Sequence, residues 1–103
     1  MMFFNFLNEP YIAIIGDIKN SKKIVDRGAF QEHLKKILDN INLKYSDCIA
    51  SKFTITLGDE FQGLLTTGNN IMEIIQYIKK EIYPVKIRFG IGIGSISTKI
   101  NSE

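Results

Sequence analysis

Between residues 11 and 94 the apolar residues change period in a set order, and that order constrains the fold more than any other feature of the chain. Residues 11–16 (Tyr-Ile-Ala-Ile-Ile-Gly) are continuously apolar until Asp17 breaks the run. A short β-rich run of this kind predicts a central strand covered on both faces. Phe30, Leu34, Ile37, Leu38 and Ile41 then recur at helical spacing, which predicts a helix over residues 26–45. Asp26 is its expected N-cap, with Val25 and Phe30 spaced as a hydrophobic staple. The next segment alternates: Ile49, Phe53, Ile55 and Leu57 on one side, Lys52, Thr54 and Thr56 on the other. Gly58-Asp59 separates it from residues 60–66 as in a tight hairpin, with Gly58 expected to supply a positive φ. Ile71, Ile74, Ile75, Ile78 and Ile82 predict a second helix over residues 70–83, stopped by Pro84. Finally Val85, Ile87, Phe89, Ile91 and Ile93 alternate with Lys86, Arg88, Gly90, Gly92 and Gly94.

The resulting β-α-β-β-α-β order is the split pattern of ferredoxin-like folds. It predicts an α+β domain: an antiparallel four-stranded sheet in the order 4-1-3-2, with two helices on one face. A chain of 103 residues has room for one domain and one core. The expected division is an apolar N-terminal segment at 1–10, the domain at 11–94 and a polar tail at 95–103. The N-terminal segment has no basic start, and Asn5 and Asn8 interrupt it, so it does not read as a signal peptide. No apolar run approaches the ~20 residues of a membrane span. The expectation is a cytoplasmic protein with no membrane partner.

Thirteen Lys and Arg against eleven Asp and Glu leave a net charge of +2. That balance lacks the basic footprint of a nucleic-acid binder, so nucleic acid is not an expected partner. A single cysteine, Cys48, excludes an internal disulfide and a cysteine-based zinc cage. A single histidine, His33, excludes a histidine-cluster metal site and stands on the flank of the first helical stripe, as a surface residue does. The glycine spacing of Gly58 and Gly63 is that of a phosphate-binding P-loop, but Leu64 stands where a lysine is needed. Tyr11, Phe53, Phe61 and Phe89 could form an RNA-binding platform only if they shared the open face, and the alternation assigns Phe53 and Phe89 to the core.

The strand order predicts where chemistry can sit. The first strand runs antiparallel to the third, so its end, at Asp17, should lie beside the hairpin that carries Asp59 and Glu60. The fourth strand should bring Lys86 to the same end as a phosphate contact. Carboxylates gathered there repel unless a cation neutralises them. All-oxygen donors suit Mg²⁺ or Mn²⁺, whose shell substrate phosphates complete. Such a site supports phosphoryl or nucleotidyl transfer. Lys19, Lys22 and Lys23 follow Asp17 directly, as a solvated loop or as a basic loop that holds triphosphate oxygens. Gly90, Gly92 and Gly94 leave one face of the last strand bare, to accommodate a packed segment or a ligand.

Three segments carry a resemblance: Ile14-Ile15-Gly16-Asp17-Ile18-Lys19-Asn20-Ser21, Leu57-Gly58-Asp59-Glu60-Phe61-Gln62-Gly63 and Arg88-Phe89-Gly90-Ile91-Gly92-Ile93-Gly94. In order and spacing they resemble the bacterial SatD family, whose N-terminal part is similar to the palm of nucleotidyl cyclases and GGDEF diguanylate cyclases. The resemblance covers about residues 10–101. It implies a palm domain at 11–94 that binds a divalent metal and a nucleoside triphosphate, with nucleotidyl transfer or cyclase activity. By position, Asp17 and Asp59 would ligate Mg²⁺ or Mn²⁺ with the Ile18 carbonyl. Glu60 would be an auxiliary ligand or acid/base, and Gly58 would let phosphates or base approach. A homodimer is implied, since such cyclases build their sites between two copies. Leu57 stands where GGDEF has its first glycine, which argues against diguanylate cyclase activity. Elements that class III cyclases place downstream are not in these 103 residues, and a non-catalytic nucleotide-sensing or assembly domain is the alternative.

Overall fold

The structure, a computed structural model, describes residues 10–95. Six main elements follow in the expected order: β1 (Pro10–Ile18), α1 (Arg27–Lys44), β2 (Ile49–Leu57), β3 (Glu60–Leu65), α2 (Ile71–Ile82) and β4 (Ile87–Ser95). The strands form one sheet in the order β2-β3-β1-β4, with β1 antiparallel to both its neighbours. Except for Pro10 and Ser95, which extend β1 and β4, the expected N-terminal segment and polar tail lie outside the described residues.

Both helices pack on one face of the sheet. Leu34, Ile37, Leu38 and Ile41 of α1 and Ile74, Ile78 and Ile82 of α2 join Ile14, Ile18, Phe53, Phe61 and Leu65 in one buried cluster. Two glycines make seats for the rings. A Cβ at Gly16 would overlap the Phe61 ring, and one at Gly63 would overlap the Phe53 ring. Phe61 also meets Phe89 edge to face, with centroids 6.2 Å apart. These aromatic rings therefore fill the core instead of lining the open face.

A local signal explains the start of α1. The Asp26 carboxylate accepts the Ala29 N–H at 3.0 Å and caps α1. Val25 is fully exposed, so no hydrophobic staple forms there. Asn70 occupies the N-cap of α2 but directs its amide to the Cys48 sulfur at 3.4 Å instead of to the helix.

Several expectations are corrected. Gly58 does not take a positive φ; the one left-handed residue among those described is Asn20, at φ 55° in the loop after β1. Leu57 is 69% exposed instead of facing the core, because register shifts along β2 carry it off the buried alternation. The same irregularity frees the backbone of Phe53 from β3. Asn42 of α1 replaces the missing ladder bonds, accepting the Phe53 N–H at 2.8 Å and donating to its carbonyl at 3.0 Å. β1 is central, but helices cover only one of its faces, and Ile15 and Asp17 on the other are exposed. β4 starts two residues later than expected, at Ile87. It is an edge strand with one neighbour, and Ile91 and Ile93 stay 51% and 75% exposed.

Candidate functional site

The end of β1 is clamped between two other segments. On one side, the Ile18 N–H donates to the Asp59 carbonyl at 2.9 Å, beyond the last ladder pair of β1 and β3. On the other, the Lys19 N–H donates to the Lys86 carbonyl at 2.9 Å. In extended backbone the N–H and C=O of one residue point to the same side. The Ile18 carbonyl therefore looks toward the hairpin, and Ile18 and Asp59 meet through their main chains.

Directly opposed residues of antiparallel strands share a face. Asp17 lies opposite Glu60 on β3 and opposite Arg88 on β4, so the three form one row across the open face. Opposed Cβ atoms stand about 4.5–5.5 Å apart, and like charges in that position repel. Arg88 offsets the Asp17–Glu60 repulsion from one flank only. Among the described residues the Asp17 carboxylate makes no hydrogen bond or ion pair. Beyond this row the β4 side of the face is bare, since Ile15 is flanked there by Gly90 and Ala13 by Gly92, whereas on the β3 side they lie opposite Gln62 and Leu64. Nothing lies within 4 Å of where a Cβ would stand on Gly90, Gly92 or Gly94.

The Asp59 side chain is half-buried, and one of its oxygens, Oδ2, accepts the Ser21 hydroxyl at 2.8 Å. Ser21 reaches it because Asn20 reverses the chain just after β1, a conformation that asparagine tolerates. The following 3₁₀ turn, Ser21–Lys23, is held by Lys23 N–H to Asn20 carbonyl and Ile24 N–H to Ser21 carbonyl. Helix α1 pins the hairpin from above: the Gln31 amide donates to the Gly58 carbonyl at 2.7 Å. An Arg27 guanidinium nitrogen lies 3.9 Å from where a Gly58 Cβ would stand.

Lys19 and Lys86, with Lys23, line a hollow of about 450 Å³ together with Asn20, Ile24 and Val85. It flanks the β4 side of the β1 end, whereas the hairpin flanks the other. Lys22 is exposed and does not line this hollow. Ser21, Arg27, Gln31 and Arg88 escaped sequence reasoning as site residues. Arg88 follows from strand order only once the register is known. Arg27 and Gln31 lie one turn apart after the Asp26 cap, a spacing that puts them on one helix face.

The described residues contain no group of three or more His, Cys, Asp or Glu side chains close enough to hold a metal ion. The expected gathering of the Asp17, Asp59 and Glu60 carboxylates into one such group is therefore not formed; the oxygen donors near the β1 end are the Asp17 and Asp59 carboxylates and the Ile18 carbonyl, with Glu60 opposite Asp17. Hard oxygen donors in that small number suit Mg²⁺ or Mn²⁺, which bind one or two carboxylates and leave positions for phosphate oxygens. The donors fit such an ion in chemistry.

His33 is exposed, and its Nε2 lies 2.8 Å from the Glu81 carbonyl, bridging α1 to the end of α2. No helix among the described residues is long and apolar enough to cross a membrane.

The profile of the SatD family matches residues 11–103. No curated protein matches the chain. Among solved structures, an EAL/GGDEF domain protein from M. capsulatus superposes with a TM-score of 0.62 at 16% identity, covering 89% of this chain and 71% of the other. The catalytic core of a rhodopsin-guanylyl cyclase with converted specificity, solved with ATPαS, gives 0.63 at 19% identity over 84% of this chain. A guanylate cyclase domain from Catenaria anguillulae, solved with GTP, gives 0.59 at 18% identity, also over 84%. This chain spans 56% and 57% of those two cyclase chains. At such identities the likeness establishes a nucleotidyl-cyclase-like palm fold.

Proposed function

The chain belongs to the SatD family, and from that premise we propose that its palm binds a divalent cation and a nucleoside triphosphate at the end of β1, in support of nucleotidyl transfer or cyclisation. The observation that carries this reading is the Ile18–Asp59 main-chain bond, which joins the Asp17 strand end to the Asp59 hairpin. Mg²⁺ or Mn²⁺ would be held by Asp17, Asp59 and the Ile18 carbonyl, and would shield phosphate charge and acidify an attacking hydroxyl.

The chain's own residues do the rest. Lys19 and Lys86, from their hollow, and Lys22, from the loop tip, supply ammonium groups for phosphate oxygens. Gly58 leaves the hairpin surface open to phosphates or base. Glu60, in the same row as Asp17, is the auxiliary ligand or the base that takes the hydroxyl proton. The bare Gly90 and Gly92 positions leave room beside that row, and a second copy of the chain would complete the site as in a cyclase dimer.

Incubation with each of the four triphosphates and Mg²⁺ or Mn²⁺ tests turnover. Pyrophosphate release by the wild type that Asp59→Asn abolishes, with the fold intact, supports the enzyme. Nucleotide binding without release supports the second reading, a non-catalytic sensing or assembly domain. The exposed Leu57 favours that reading, since it places a bulky apolar side chain beside Gly58 where GGDEF proteins have glycine.

A further inference from the structure

We propose that Ser21 is a positioning residue for the cation site: its hydroxyl holds Asp59 in one orientation and leaves the second carboxylate oxygen to face the ion. The inference rests on the cation-binding reading above and adds to it a residue with no other assigned role.

Three observations carry it. First, the Ser21 hydroxyl has a single proton, and that proton goes to Asp59 Oδ2 at 2.8 Å. Both residues are half-buried, 38 positions apart in the chain, so the bond closes the β1–α1 loop onto the hairpin. Second, the backbone turns back to reach it. Asn20 stands at φ 55°, ψ 38°, a left-handed reversal that asparagine tolerates and that returns Ser21 toward the hairpin it has just passed. Third, the two carboxylates of the site are treated differently. Asp17 has no partner among the described residues, whereas Asp59 has one oxygen engaged and the other, Oδ1, without a hydrogen bond. A carboxylate held by an outer hydrogen bond loses less freedom when it ligates an ion. Partners of this kind typically contribute ten- to a hundred-fold to metal affinity.

A structural latch alone would have the same geometry but would leave a metal titration unchanged. Mn²⁺ binding, followed by water-proton relaxation without nucleotide, isolates the carboxylates from the lysines on the same loop. Ser21→Ala should weaken Mn²⁺ binding about tenfold, and Ser21→Thr, which restores a hydroxyl, should recover most of it. Melting curves with and without Mn²⁺ guard against a folding defect: the Mn²⁺-induced rise should shrink in Ser21→Ala and return in Ser21→Thr. Equal Mn²⁺ affinity in the wild type and Ser21→Ala overturns the role of Ser21 and leaves the cation site standing. A lower metal-free melting point with an unchanged Mn²⁺-induced rise assigns Ser21 to the fold alone. Absence of Mn²⁺ binding by the wild type removes the cation site itself, and this inference with it.

Discussion

The Ile18 N–H and the Asp59 carbonyl, 2.9 Å apart, join the end of β1 to the tip of the β2–β3 hairpin through main chain alone. No side chain or ligand is needed to bring these segments together. The placement of Asp17 and Asp59 is thus a property of the sheet, and substitutions at either should act on binding more than on folding.

For Asp17 this sets a small size. Its carboxylate is exposed, unpaired among the described residues and opposite Glu60. Asp17→Asn should change metal-free stability by no more than ~0.5 kcal/mol in either direction, because it removes the repulsion from Glu60 and the attraction to Arg88 together. Urea unfolding in EDTA measures this. A loss above ~1 kcal/mol would show that Asp17 holds the fold in a way the row does not explain.

Glycines of the two sheet faces should respond oppositely. At Gly16 and Gly63 a methyl group would overlap the buried Phe61 and Phe53 rings, so Gly16→Ala and Gly63→Ala should each cost about 1–3 kcal/mol. Gly90 and Gly92 have open space around the missing Cβ, and alanine there should be neutral or stabilising by ~0.5–1 kcal/mol. If the bare strip serves a ligand or a second copy, Gly90→Ala should impair binding while keeping that stability.

Asn42 is a structural counterpart. Its side chain pairs both backbone groups of Phe53 where β2 slips register. Asn42→Ala should cost about 1–3 kcal/mol, the penalty of leaving backbone groups unsatisfied in a partly buried setting. Equilibrium denaturation checks the size. Hydrogen exchange should show the Phe53 amide losing protection first.

Much of this organisation was legible in the chain. The isoleucine stripe of α2 and the alternation of β4 are strong periodic signals, and the strand order followed from the element order. The end-to-end meeting of β1 and the hairpin followed in turn. Leu57 was misread because alternation assumes an unbroken ladder, and the slips of β2 are set by packing around Phe53 and Asn42, not by local pattern. Gly58 was misread because a glycine in a two-residue turn need not use its positive-φ freedom; Asn20, a residue type with a modest left-handed tendency, uses it instead. Arg88 opposite Asp17, and Ser21 on Asp59, depend on register and on one loop reversal, which no spacing rule encodes.

The inter-helix surface gives a pH prediction. The Tyr45 hydroxyl donates to the Glu73 carboxylate at 2.7 Å. That bond, with burial, pushes the phenol up from 10.0 to about 12. The folded state then keeps its proton after the unfolded chain has lost it. This contribution to stability is complete below pH ~10 and is lost as pH rises from about 10 to about 12. In Tyr45→Phe the alkaline decline over that window should be shallower, as urea midpoints at successive pH values will show.

The central claim is that Asp17 and Asp59 jointly hold a divalent ion against a nucleoside triphosphate. Its most direct test is a thermal shift of the wild type, Asp17→Asn and Asp59→Asn with Mn²⁺ and each triphosphate in turn. A ligand at ~100 times its dissociation constant adds about 2.7 kcal/mol, enough for a rise of several degrees. The account predicts that rise for at least one triphosphate with Mn²⁺ in the wild type, and its loss in both variants. No rise with any triphosphate, or the same rise in the wild type and both variants, would contradict it.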